Sequence, residues 1–306
     1  MVIPLPLVDI SAPEVALSHL DSLWFQVGGT LCNLTCHHCF ISCTPHNHTF
    51  EFLDVATVKR YLDESVHLGV KEYYFTGGEP FLNRDMVPIL ELTLRYGPAT
   101  VLTNGTVFQD EWLERLRVAE EASSYSLEFR VSIDGFTAEQ NDPIRGEGTF
   151  ERAMGGVRQL VRFGFLPIIT ATLTDDSQEA MELVRGFFEV LKANGYDRPR
   201  LKVMPTLRIG AEQQRRRGYH DEERITAEMM EHYDASNLVC HNSRIVTNRG
   251  VAVCPILVEA PDAHFGTTLR EALKPFALRH NACYTCYQYG AICSNVSSYP
   301  EEFKNL

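Results

Sequence analysis

Short apolar runs alternate with stretches of helical period through the middle of the chain. WFQVGG (24–29), KEYYFTGG (71–78), ATVLTNG (99–105), SLEFRVSIDG (126–135), PIITATL (167–173) and PRLKVMP (199–205) are near-continuous apolar runs ended by glycine, proline or polar residues. Such runs predict strands covered on both faces. The stretches at 54–68, 85–97, 109–122, 149–164 and 177–195 carry apolar residues at helical spacing and predict helices. Asp54 is placed to cap the first of them, and Gly97 and Gly164 to close the second and fourth. About six β/α units in succession imply a parallel sheet with crossover helices. In a parallel β/α barrel the C-terminal strand ends carry the active site. Here those ends read Thr76-Gly77-Gly78, Thr103-Asn104-Gly105 and Ser132-Ile133-Asp134-Gly135.

The pattern changes after Pro205. Residues 208–224 are charge-dense and predict a solvated loop or a helix start. Strands at 243–248 and 251–256 flank Arg249-Gly250, a hairpin-like turn. TTLREALKPF (267–276) predicts a short helix, and a cysteine-rich tail at 283–293 follows. The organisation expected is an N-terminal extension over 1–21, a β/α region over 22–205 and a smaller region over 206–306.

Composition narrows the partners. Of the 306 residues 44% are hydrophobic and 22% charged, which excludes wholesale disorder. A formal net charge of -12 counts against nucleic acid as the main partner. The first 21 residues carry no Lys or Arg and three prolines, unlike a secretory signal. No uncharged apolar run reaches the ~18 residues needed to cross a bilayer. A soluble, cytoplasmic protein that binds neither nucleic acid nor membrane is expected.

The nine cysteines fall into two groups, Cys32, Cys36, Cys39 and Cys43, then Cys240, Cys254, Cys283, Cys286 and Cys293. An odd total without an export signal argues against a disulfide framework, and short internal spacings suit metal or iron–sulfur ligands. Cys32, Cys36 and Cys39 form C-x3-C-x2-C just after the first strand. Three thiolates on one loop can hold three irons of a 4Fe–4S cube and leave the fourth to a small molecule. Zinc is the competing ion, with Cys43, His37, His38, His46 and His48 nearby.

With Gly77-Gly78-Glu79-Pro80 after the second strand and VSIDG (131–135) after the fourth, this spacing resembles the radical SAM superfamily over about residues 22–205. The resemblance implies a partial (β/α)6 barrel of TIM type. It implies that Cys32, Cys36 and Cys39 hold the cluster and that S-adenosylmethionine (SAM) chelates its open iron. His38 stands where the family usually has an aromatic residue near the adenine. Gly77 and Gly78 would admit the methionine moiety, Glu79 would pair with its ammonium group, and Asn104 would lie within reach. Ser132 and Asp134 would contact the ribose or the methionine carboxylate, Arg145 of IRGEGTF (144–150) would bind that carboxylate, and Thr172 and Leu173 would line the adenine. The implied chemistry is reductive cleavage of SAM to a 5′-deoxyadenosyl radical that abstracts hydrogen from an unactivated carbon.

The second group, C-x13-C then C-x2-C-x6-C, resembles the auxiliary-cluster domains of the SPASM and twitch types. Five cysteines suit one auxiliary 4Fe–4S cluster, with Cys240, Cys254, Cys283 and Cys286 as preferred ligands and Cys293 as the alternative. That leaves Cys43 and Cys293 as buried small hydrophobes or as hydrogen donors to a substrate radical. The substrate expected is a small polyhydroxylated metabolite, to be dehydrogenated, epimerised or rearranged. A ribosomally made peptide or protein side chain is the alternative, and flavodoxin or ferredoxin the electron donor. A non-catalytic iron–sulfur or zinc module is the reading from a different class.

Overall fold

The computed structural model describes residues 12–173, 180–290 and 292–293. Six parallel strands, β2 (Ser22–Phe25), β3 (Glu72–Phe75), β4 (Ala99–Thr103), β5 (Leu127–Ser132), β6 (Ile168–Thr172) and β7 (Arg200–Met204), follow one another across the sheet in chain order. Helices α1 (Val55–Val66), α2 (Met86–Thr93), α3 (Asp110–Glu121), α4 (Ala138–Arg145), α5 (Thr149–Arg162) and α6 (Ala180–Ala193) fill the crossovers. This is the partial (β/α)6 barrel expected. The predicted helix start at 177–179 lies outside the described residues.

Strand alternation divides the side chains between two environments. Leu23, Phe25, Tyr73, Phe75, Val101, Phe129, Val131 and Ile169 pack under the helices in the main core. Trp24 and Tyr74, on the opposite face, stack at 4.2 Å in a second cluster that includes Cys32 and Ile245. The inner face of the barrel is therefore part of a continuous packed layer reaching the first cysteine loop. Asp54 caps α1 by accepting the Thr57 N–H at 2.7 Å, as predicted. Gly164 takes a left-handed φ of 87° just past α5. Gly97 does not play that part: α2 ends at Thr93, and Gly97 packs over the Tyr73 ring.

Beyond β7 come α7 (Ala211–Arg215) and α8 (Ala227–Met230), then β8 (Ser243–Thr247), β9 (Gly250–Ala252), β10 (His264–Gly266), β11 (Phe276–Ala277) and α9 (Ala282–Tyr289). The predicted hairpin forms, with β8 antiparallel to β9, and β8 also runs parallel to β2, so residues 243–266 extend the barrel sheet to nine strands. A short strand β1 (Glu14–Val15) pairs with β11. The predicted helix at 267–276 is absent. Glu271 accepts the N–H groups of Thr267 and Thr268, while the buried Arg244 guanidinium takes the carbonyls of Ala272 and Lys274. Of these only the Ala272 carbonyl would have entered an i to i−4 ladder, with Phe276, and Phe276 is itself taken into the strand that pairs with β1. The charge-dense stretch is less solvated than predicted, since Glu212 is fully buried and pairs with Arg215. Among the described residues no helix is long and apolar enough to cross a membrane.

Candidate active site

The first cysteine loop is fastened to the second strand's turn by backbone hydrogen bonds. Gly28 N–H donates to Thr76, Gly78 N–H to Gly29 and Glu79 N–H to Leu31, at 2.9 to 3.1 Å. The approach is so close that a Cβ on Gly78 would sit 2.0 Å from the Leu31 carbonyl oxygen, and Gly77 has a φ of 142°. Only glycine fits this pair, and that fixes Glu79 directly below the loop carrying Cys32.

Glu79 is fully buried. Its Oε1 accepts the Phe81 N–H at 3.1 Å and the Thr103 hydroxyl at 2.7 Å, and its Oε2 accepts the Asn104 N–H at 2.7 Å. Burial outweighs these three donors and pushes its pKa up to about 7. A cation brought to this carboxylate would offset that burial cost. Asn104 then reaches the cysteine loop: its Nδ2 donates to Asn33 Oδ1 at 2.8 Å and lies 3.7 Å from Cys32 Sγ. Thr103 and Asn33 escaped the sequence reading, because a threonine ending a strand and an asparagine between cysteines carry no distinctive spacing.

Asp134 is the second buried carboxylate. Its Oδ2 lies 2.6 Å from Arg145 Nε and 2.9 Å from His38 Nε2, and its Oδ1 accepts the Thr172 N–H at 2.8 Å. Burial alone would raise Asp134, but Arg145 and His38 overcome it and hold the carboxyl well below its usual range. Arg145 arrives at the last turn of α4, which Asn141 ties to the turn after β5 by accepting the Asp134 N–H at 3.1 Å. Helix α4 itself was not foreseen, because Pro143 lies within it. Ser132 ends β5 and is half-buried; Leu173, also half-buried, bonds back to Met204.

The thiols of the loop are supplied with N–H donors. Leu34 N–H lies 3.5 Å from Cys32 Sγ and Cys43 N–H 3.3 Å from Cys39 Sγ. Burial raises Cys32 to about 12; it raises Cys36 to about 11 against the opposing pull of Arg145. Cys39 is lowered to about 6, chiefly by the Cys43 thiol, and Cys43 is pushed far up by the same contact. Of the neighbouring histidines, His38 faces Asp134. Among the described residues no three ligand side chains converge on one point at single-ion distance. A cube takes each thiolate on a separate iron, and N–H donors aimed at the sulfurs suit it. The donor set therefore fits a cluster held by Cys32, Cys36 and Cys39.

Cys240, Cys254, Cys283 and Cys286 line one apolar cavity with Val253, Leu257 and Phe276. Helix α9 sets Cys283 and Cys286 three residues apart on one face. Burial raises all four thiols, Cys240 to about 12 and Cys254 to about 11. Neutral buried thiols become thiolates when a metal supplies the positive charge, so this set also fits a cluster. Cys293 does not line that cavity but packs against the same core, where its thiol acts on Cys286 and is acted on by Cys254, so it stands beside the four as the alternative ligand; its carbonyl accepts Arg130 Nη1 at 2.8 Å.

The profile of the radical SAM superfamily matches residues 27–185, just over half of the chain, and the chain belongs to that superfamily of SAM- and 4Fe–4S-dependent enzymes. The AdoMet-dependent heme synthase of Methanosarcina barkeri is 34% identical over 166 residues, 54% of this chain and 45% of that protein. The mycofactocin maturase MftC of Mycobacterium tuberculosis is 32% identical over 135 residues, 44% of this chain and 33% of that protein. The match thus spans less than half the length of these relatives. Streptococcus suis SuiB bound to SAM has the same fold, with a TM-score of 0.60 at 15% identity over 80% of this chain and 63% of that one.

Proposed function

We propose that this chain is a radical SAM enzyme with one auxiliary 4Fe–4S cluster, and that it abstracts hydrogen from a peptide or protein side chain. The observation that carries the SAM-binding core of the reading is the pair of buried carboxylates beside the three-cysteine loop, Glu79 accepting from Thr103 and Asn104, and Asp134 facing Arg145 and His38. Cys32, Cys36 and Cys39 would hold the first cluster, and Cys240, Cys254, Cys283 and Cys286 the second. Bound SAM supplies, on one-electron reduction, a 5′-deoxyadenosyl radical.

The chain's own residues do the rest. Glu79 presents a buried acceptor to the SAM ammonium group, and Asn104 holds the Cys32 sulfur beside it. Arg145 receives the SAM carboxylate while Asp134 keeps its guanidinium and the His38 ring in place. Gly77 and Gly78 leave room for the methionine moiety. The buried, stacked Trp24 and Tyr74 rings give the inner face of the barrel an apolar floor. A reduced flavodoxin or ferredoxin is the proposed electron donor.

The mycofactocin maturase named among the relatives supports the peptide reading, and the heme synthase named there supports a small molecule. Anaerobic reconstitution followed by incubation with SAM and dithionite tests the core of it. About eight irons per chain, with release of 5′-deoxyadenosine, is the expected result. Zinc, or iron without cleavage, would leave only a binding module. Deuterium transfer into 5′-deoxyadenosine from labelled peptides rather than from labelled sugars separates the peptide from the small polyhydroxylated metabolite.

A further inference from the structure

Arg130 sits on β5 and is 1% exposed. Its neighbours Phe129 and Val131 pack under the helices, so alternation turns Arg130 to the inner face of the barrel. There its guanidinium lies 5.5 Å over the Tyr74 ring. Nη1 donates to the Cys293 carbonyl at 2.8 Å. Nε and Nη2 are buried without a hydrogen-bond partner. Thr170 Oγ1, on the neighbouring strand and the same face, is likewise buried and unpartnered. Lys202 pairs with Thr170 across β6 and β7, which brings a second cation to this wall. Glu128, two residues back on the same face, gives Oε2 to Arg200 at 2.6 Å and leaves Oε1 buried and unpartnered, and with Glu72 it adds acidic field to Arg130.

A buried guanidinium with two idle donors is costly unless an anion completes it. The idle edge has a definite shape. Elsewhere in the molecule the same Nε–Nη2 edge grips a carboxylate with two bonds: Arg115 on Glu91 at 3.1 and 2.8 Å, and Arg215 on Glu212 at 2.7 and 2.8 Å. The match to two coplanar carboxylate oxygens is geometric as well as electrostatic.

We propose that Arg130 and Thr170 form a carboxylate-binding site on the inner wall of the barrel, taking a carboxylate of the substrate. This rests on the functional reading above, and takes the substrate of that reaction to enter the barrel interior. Arg130 grips both oxygens, Thr170 donates its hydroxyl to one of them, and Lys202 adds positive field. Cys293, by holding Nη1, fixes which edge is offered. The substrate is then acidic: a peptide carrying a glutamate, an aspartate or a free C-terminus.

Titration calorimetry on the anaerobically reconstituted enzyme tests this, with N-acetylglycine as probe and N-acetylglycinamide as its neutral twin. The acid is expected to bind at least tenfold more tightly than the amide. Arg130→Gln should weaken the acid at least tenfold and leave the amide within twofold. Arg130→Lys, which keeps charge but loses the fork, should fall between. Thr170→Val provides a second variant should Arg130→Gln fail to fold, with a several-fold loss expected. Equal binding of acid and amide, no binding of either, or tighter binding of inorganic phosphate would overturn the site. So would one-for-one displacement of the acid by SAM, which would make the wall SAM's own carboxylate pocket. SAM cleavage by the unaltered enzyme is measured separately. Cleavage without preference for the acid sinks this site alone, and preference without cleavage sinks the enzyme reading alone.

Discussion

Glu79 accepts the backbone N–H of Asn104 at 2.7 Å across 25 residues of sequence. The turn after β3 and the turn after β4 therefore share one buried acceptor. That acceptor is held against its preference for water, since burial raises it from 4.5 to about 7.

A pH dependence follows. Below about 4.5 Glu79 is protonated in both folded and unfolded chains and contributes nothing. As pH rises towards 7 the unfolded carboxyl ionises first, so the fold loses stability, by at most about 3 kcal/mol. The penalty is full above 7. Thermal unfolding of the metal-free protein in wild-type and Glu79→Gln forms should show this slope in the first and not in the second. Equal slopes would mean that another group is responsible.

The Asp134–Arg145 pair works in the opposite direction. Asp134 is held low, so its contribution is present above its unfolded pKa and lost as pH falls towards the depressed value. Arg145→Met leaves a buried carboxylate with only His38 and the Thr172 N–H beside it and should cost about 3–5 kcal/mol. Adding Asp134→Asn should recover part of that loss in denaturant unfolding at neutral pH. If the double variant is no more stable than the single one, the pair is not coupled.

Gly78→Ala drives a methyl group onto the Leu31 carbonyl and should destabilise the chain by several kcal/mol, with loss of iron from the first loop. Gly69→Ala, where nothing lies within 4 Å and φ is 74°, should cost only about 1 kcal/mol. Comparable losses from the two would show that the close approach at Gly78 is relaxed in solution.

Cys36→Ala should abolish SAM cleavage and drop iron from about eight to about four per chain. Cys283→Ala should lose a similar amount of iron, spare cleavage uncoupled from substrate, and stop substrate turnover. Product analysis by mass spectrometry with parallel iron assays checks both, and cleavage surviving in Cys36→Ala would displace the first cluster from this loop.

Much of this was readable from residue order because each β/α unit is locally encoded. The apolar runs and the Asp54 cap depend on neighbours a few positions away. What escaped was decided at long range. The 267–276 stretch has helical composition, yet Arg244, from another strand, takes its carbonyls. Helix α9 hides under cysteines, whose spacing speaks of ligands rather than of period. Thr103 matters because of Glu79, and Arg130 because alternation turns it inward beside Cys293; neither pairing has a local signature.

The strand leading to the first cysteine loop, β2, lies directly beside β8, whose hairpin leads to Cys254. Ladder hydrogen bonds thus tie the approach to Cys254 to the approach to the first loop, while α9 carries Cys283 and Cys286. If both proposed clusters form, the part of their separation that runs through Cys254 is held by the sheet and not by a hinge.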